Sequence, residues 1–229
     1  MKKYEWLLFD NDNTLMNFHS ASTSAFHGSM RELGLNEDKI DYREYNKHNH
    51  IVWSEFENGF IDALTLRSKR FKLYFEAVGH DHSDPTIANA TYLNHLILHP
   101  HMMDHAYDLL DHVKSSYKLG LITNGLKEVQ RPRLKAAKIY DYFDAIVVSD
   151  EIGYAKPQQG YFDHVFSQMG TTELKKTIVI GDSLNSDIKG ALDYGLDCVW
   201  LNPERKSHGG LKPTYEVSSV KEIIELFST

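Results

Sequence analysis

Leu7-Leu8-Phe9-Asp10-Asn11-Asp12-Asn13-Thr14-Leu15 is the stretch on which the reading of the chain turns. An apolar run ends abruptly in two aspartates spaced i, i+2. Trp6 to Phe9 has the length and apolarity of a buried strand, which sets Asp10 at the strand's carboxyl end. In open α/β sheets that edge faces the ligand crevice. Two carboxylates there repel by about 4 kcal/mol at roughly 4 Å and an effective dielectric of 20. A fold tolerates such a pair when a cation sits between the charges or when one of them holds a proton. A hard, oxygen-liganded ion such as Mg2+ suits the first case, and a proton-donating acid the second. Asp-Asn-Asp-Asn-Thr is also ordinary turn and N-cap material, so the pair needs partners elsewhere in the chain.

Outward from this stretch the period changes. Phe18, Ser22, Ala25, Phe26, Met30 and Leu33 recur at helical spacing until Gly34. Residues 38–58, 61–78 and 85–97 continue as helices, so residues 17–98 form an all-helical block. From about 102 helices and short apolar strands alternate. A helix carries Met103, Ala106, Leu110 and Val113, followed by a strand Lys118–Thr123 and a helix 127–138. A strand Ala145–Ser149 leads to a helix Gln158–Met169 entered through Pro157 at a first helical position. A strand Thr177–Gly181, a helix Asn185–Tyr194 stopped by Gly195, a strand Asp197–Leu201 and a closing helix 219–227 complete the chain. This rhythm predicts an α/β protein: a Rossmann-like, three-layer core with a parallel sheet, built from residues 1–16 and 99–229. The helical block is then an insertion after the first strand, expected at the crevice edge where it can cover the site.

The composition bounds the function. The chain has 229 residues, 41% hydrophobic and 25% charged, with net charge −7, as in an ordinary globular protein. Without a basic tract it offers no footprint for a nucleic acid polymer, yet a local pocket can still take a small anion. The single cysteine, Cys198, lies in an apolar run and excludes an internal disulfide. No signal-peptide core and no membrane-spanning run follows Lys2-Lys3-Tyr4-Glu5. The expectation is a cytoplasmic protein without a membrane partner; monomer and dimer stay equally open.

Three further polar groups fall at strand ends on the same expected edge. Thr123-Asn124-Gly125 offers a hydroxyl and backbone N–H groups suited to phosphate oxygens. Lys156, extended before Pro157, could offset both carboxylates and an incoming anion. Asp182 stands at the end of the fourth core strand, with Asp187 five residues on. Each alone suits a turn, a surface lysine or a helix cap. Taken in order, Asp/Asp, Thr, Lys and Asp/Asp close successive core strands.

Asp10-x-Asp12-x-Thr14, Thr123, Lys156 and Gly181-Asp182-x4-Asp187 together resemble the four signatures of the haloacid dehalogenase superfamily phosphatases. The resemblance covers essentially the whole chain, the helical insert standing where that family carries its cap. True dehalogenases of the superfamily lack the second aspartate, so Asp12 points to phosphoryl chemistry. Asn46-Lys47, Trp53, Asn58-Gly59, Leu66 with Arg70-Phe71, Ile122-Thr123-Asn124-Gly125, Trp200-Leu201-Asn202, Pro213-Thr214 and Val217-Ser218-Ser219 resemble the bacterial pyrimidine 5′-nucleotidase branch. The resemblance implies a small phosphomonoester substrate and Mg2+ held by Asp10, the Asp12 carbonyl and Asp182, with Asp187 ligating through water or orienting Asp182. It implies Asp10 as nucleophile and Asp12 as acid and base. Thr123, the Asn124 amide and Lys156 would hold phosphate oxygens, and Thr14 would brace the loop. Asn17, Phe18, Trp53 and Phe56 are candidates for substrate contact.

Rival readings are weaker. Gly181-Asp182-Ser183-Leu184 opens one esterase family, but the only later histidine is His208, with Arg205 where that family has aspartate. His101 and His105 share a helical spacing without the metalloprotease glutamate. Gly209-Gly210-Leu211-Lys212-Pro213 has neither the spacing nor the helix start of a P-loop. A phosphatase of phosphoglycolate or a sugar phosphate, a phosphomutase, and a non-catalytic binding member of the fold remain alternatives; the last would be marked by loss of Asp10 or Asp12, and both are present.

Overall fold

A computed structural model describes residues 4–80 and 82–228. The chain divides into two compact units, Met1–Phe18 with His101–Thr229, and His19–Pro100. The first holds a six-stranded sheet in the order β3-β2-β1-β4-β5-β6. Its strands are β1 (Trp6–Phe9), β2 (Lys118–Thr123), β3 (Ala145–Val148), β4 (Thr177–Gly181), β5 (Asp197–Leu201) and β6 (Tyr215–Val217). All neighbours are parallel, so every carboxyl end lies on one edge. The chain steps outward from β1 through β2 to β3, then returns beside β1 with β4 and steps the other way. The switch point between β1 and β4 therefore lies beside Asp10 and Asp182.

Side chains of β1 alternate as strand geometry requires. Leu7 and Phe9 enter one core with Ala106, Leu109, Leu110 and Val113 of α5 (Ala106–Lys114) and Ile223 and Phe227 of α10 (Val220–Phe227). Trp6 and Leu8 enter the other with Tyr161, Phe162, Val165 and Phe166 of α8 (Gln159–Met169) and Ala191 of α9 (Lys189–Tyr194). Both faces are covered, which is why these strands read as unbroken apolar runs. Gly120 on β2 makes room across the sheet: a Cβ there would stand 2.5 Å from Leu8 Cδ2.

The second unit carries α1 (Phe18–Glu32), which starts at its border, then α2 (Tyr42–Glu57), α3 (Ala63–Ala77) and α4 (Pro85–Leu98). Asp41, Asp62 and Asp84 cap α2, α3 and α4 by accepting from backbone N–H groups of the first turn. Phe26, Tyr45, Phe71, Tyr74 and Tyr92 form its aromatic centre. Arg70 is buried among them, donating to Asn49 Oδ1 (3.1 Å) and Asn89 Oδ1 (2.6 Å) and lying over the Phe71 and Tyr92 rings.

Several boundaries differ from expectation. The helix expected over 38–58 is a 3-10 turn, Glu37–Lys39, followed by α2, because Asp41 caps a fresh start. Met103 precedes α5, and Ser149 opens the short helix α7 (Ser149–Ile152) instead of ending β3. Pro157 stands before the cap residue Gln158, after a cis Lys156–Pro157 bond, and is not a first helical residue. The helix expected from Asn185 begins as a π-turn, Leu184–Ile188, before α9. Strand β6 was not anticipated. Where the chain leaves and re-enters the sheet unit, Asn17 N donates to His101 O (2.8 Å) and Met103 N to Leu15 O (2.9 Å).

Candidate active site

At the carboxyl edge of the sheet, Asp10 follows β1 directly and its backbone N–H donates to Ile180 O of β4 (2.9 Å). Asp182 follows β4, its carbonyl accepting from Trp200 Nε1 (2.9 Å). The π-turn then brings Asp187 back to the strand end, where Asp187 Oδ2 accepts from Ser183 N (3.0 Å). Asp10, Asp182 and Asp187 each present a carboxylate oxygen, and the three oxygens lie within 4.8 Å of one another. Asp10 and Asp187 are buried, and Asp182 is half-buried.

One cation answers them. Lys156, 1% exposed, donates to Asp10 Oδ1 (2.6 Å), Asp187 Oδ1 (2.7 Å) and Ile122 O (2.8 Å). These occupy all three ammonium donors. Its backbone is bracketed by one side chain: Asn124 Oδ1 accepts from Lys156 N (2.8 Å) and Asn124 Nδ2 donates to Lys156 O (2.8 Å). Thr123 ends β2 beside them, 1% exposed.

Three carboxylates against one ammonium leave excess negative charge in a buried place. Burial, then repulsion from Asp187 and Asp182, pushes the Asp10 carboxyl well above the usual range despite the pull of Lys156. Burial and Asp187 push Asp182 up to about 7. Burial alone would lower Lys156, but Asp10 and Asp187 outweigh it and hold the ammonium protonated above its ordinary range. Clustered hard oxygen donors with surplus negative charge fit a divalent cation of the magnesium type.

Asp12 lies two residues beyond Asp10, and its carboxylate is turned to helix α6 (Lys127–Ala136). Arg133 Nη1 donates to Oδ1 (2.7 Å) and Gln130 Nε2 to Oδ2 (2.9 Å). Nothing in the local sequence signals these two contacts. A glutamine and an arginine at i, i+3 on a polar helix ordinarily describe a solvated face, and the partner lies some 120 residues away. Thr14 is buried, and its hydroxyl makes no hydrogen bond to the described residues, so the loop is closed instead by Leu15 N and Met16 N donating to Asn11 O (3.0 and 2.9 Å). Asn17 belongs to the sheet unit and shares a surface groove with Met103, Leu201 and Pro203. Trp53 belongs to the helical unit, half-buried with its ring 5.7 Å from that of Phe56. The structure thus brings together Asp10, Lys156, Asp182, Asp187, Thr123 and Asn124, with Asp12 alongside.

Residues 4–195 match the family model described as haloacid dehalogenase-like hydrolase. Among curated proteins, the chain is 32% identical over 228 residues to the pyrimidine 5′-nucleotidase YjjG of Escherichia coli (strain K12), covering 98% of each. It is 30% identical over 224 residues to the pyrimidine 5′-nucleotidase PynA of Streptococcus pneumoniae, covering 97% of this chain and 94% of that one. Among solved structures it resembles the HAD-hydrolase YfnB of Bacillus subtilis, crystallised with magnesium, at a TM-score of 0.91 and 30% identity over all of both chains.

Proposed function

We propose, for a chain that belongs to the haloacid dehalogenase-like hydrolases, a pyrimidine nucleoside 5′-monophosphate phosphatase that works through an aspartyl-phosphate and requires Mg2+. The chain is a phosphatase of that family. The observation that carries the finer reading is Lys156 bridging Asp10 and Asp187 beside Asp182 at the switch point of the sheet. The nucleotide preference is supported by the two nucleotidase relatives, which align over nearly their whole length.

In this reading Asp10, Asp182 and the Asp12 carbonyl would hold the ion, with Asp187 ligating through water or orienting Asp182. When bound, the ion offsets the charge of the carboxylates and of the phosphate oxygens. An Asp10 carboxylate oxygen attacks phosphorus, and the bond from phosphorus to the ester oxygen breaks. Asp12 gives its proton to the departing oxygen. Water then attacks the aspartyl-phosphate, Asp12 takes one of its protons, and the bond from phosphorus to Asp10 breaks to release inorganic phosphate. Thr123, the Asn124 amide and Lys156 steady the non-bridging oxygens, where charge spreads in the transition state. The inserted helices serve as the cap, with Asn17 and Trp53 the candidates for contact with the nucleoside.

The test is phosphate release from uridine and thymidine monophosphates, sugar phosphates and an aryl phosphate, with Mg2+ or with chelator, for the native chain and Asp10→Asn. Hydrolysis of the pyrimidine nucleotides in preference to sugar phosphates, lost on chelation and in Asp10→Asn, is the expected result. Equal rates for native and Asp10→Asn would end the catalytic assignment. Turnover of sugar phosphates with the nucleotides ignored would end the substrate assignment.

A further inference from the structure

The contacts of Asp12 go beyond what the four strand-end signatures describe. Both of its carboxylate oxygens are held by a single helix face, since Gln130 and Arg133 stand three residues apart on α6. Arg133 is fully buried while the Asp12 side chain keeps 27% of its exposure, so the clamp grips from the protein side and leaves the carboxylate a way out. The Phe18 ring lies 5.7 Å from the Arg133 guanidinium. Gln130 is oriented in turn: Asn11 Nδ2 donates to Gln130 Oε1 (2.6 Å), which turns the Gln130 amide nitrogen toward Asp12. Gly125 supplies the space, because a Cβ on it would collide with the Gln130 side chain. Arg133 spends one nitrogen on Asp12, and its Nε and Nη2 have no hydrogen-bond partner among the described residues. A buried guanidinium left so thinly satisfied is costly to keep, and among the described residues the carboxylate of Asp12 is its one charged partner.

We propose that Gln130 and Arg133 are positioning residues for the acid–base carboxylate: they fix the direction in which Asp12 points and so govern protonation of the leaving oxygen. This rests on the reading of Asp12 as acid and base. Each Asp12 oxygen accepts one of these bonds and keeps a second lone pair, so the carboxyl can carry and deliver a proton while both contacts stay in place. Gln130, tied to the same loop through Asn11, holds one oxygen and Arg133 the other, and together they fix the plane of the carboxyl.

The test uses leaving groups that differ in their need for a proton. A nitrophenyl phosphate expels a stabilised phenolate unaided, whereas a nucleoside monophosphate expels an alkoxide that must be protonated. Gln130→Leu and Arg133→Met should each lower kcat/KM on uridine monophosphate, which reads the steps up to departure of the leaving group and not the later hydrolysis of the aspartyl-phosphate, by about 10- to 100-fold, part of what general acid catalysis supplies. The same variants should leave kcat/KM on 2,4-dinitrophenyl phosphate within about threefold, and Arg133→Lys should recover part of the loss. A purely structural role would depress both substrates together. Equal loss on both substrates, or no loss on either, in the variants that stay folded by circular dichroism, overturns the proposal. Gln130→Leu decides the matter if Arg133→Met does not fold. Asp12→Asn separates the two levels. If it spares kcat/KM on both substrates or lowers it equally on both, the acid–base reading itself fails and the clamp falls with it. If it discriminates between them and the clamp variants do not, only the clamp is wrong.

Discussion

Asp182 has like-charged neighbours and, among the described residues, no hydrogen-bonded cation of its own, since Lys156 is taken by Asp10 and Asp187. Its carboxyl, raised to about 7 by burial and by Asp187, marks the charge the site holds least willingly. In chelator, Asp182→Asn should therefore raise Tm, by about 2–4 °C for each kcal/mol of repulsion removed. With added Mg2+ the order should reverse, because the variant gives up a proposed ligand. Differential scanning calorimetry in both buffers checks this, and a lower Tm in chelator would show that Asp182 is not under repulsion. At Asp10 the expectation is simpler: Asp10→Asn should stay folded and lose hydrolysis by a factor on the order of 10^4 or more, as when a nucleophile is removed. A phosphate-release assay on the purified variant reads it directly.

At the scale of elements, the strands and helices show which signals a sequence carries openly. The strands β1, β2, β4 and β5 lie at their expected residues, because apolar runs covered on both faces have few other solutions. Asp10, Thr123 and Asp182 were legible for the same reason: each is the polar residue at which such a run stops. Gln130 and Arg133 were not, because their contact with Asp12 depends on a helix and a loop meeting across the fold. Strand β6 escaped because Tyr215–Val217 is three residues on an edge, too short to show a period. The π-turn escaped because Asp187 must be drawn back toward Ser183 and Lys156, a demand of the site and not of the local sequence. Two elements invite direct tests. Gly120→Ala would press a methyl group against Leu8 between β1 and β2 and should cost about 1–3 kcal/mol by urea denaturation, as overpacking does. Asn89→Ala would leave Nη2 of the buried Arg70 without an acceptor and should cost about 1–3 kcal/mol in the same experiment.

For the whole molecule, ligand linkage offers the broadest check. A cation that binds only the folded chain at one hundred times its Kd should add about 2.7 kcal/mol of stability. Titrating Mg2+ against Tm should reveal it, and Asp10→Asn or Asp182→Asn should blunt the rise. No described helix is long and apolar enough to cross a membrane. The hydrogen bond between Asn17 N and His101 O has a broader implication, because it joins the last residues before the helical excursion to the first after it. Some eighty residues of intervening chain are spanned at their base by a pair of backbone hydrogen bonds, this one and that from Met103 N to Leu15 O. Excising residues 19–100 and splicing the cut ends with a short Gly-Ser bridge should leave a cooperative, metal-responsive protein. A lineage could exchange one insert for another at that seam without rebuilding the catalytic floor, and specificity could drift while the chemistry stayed put.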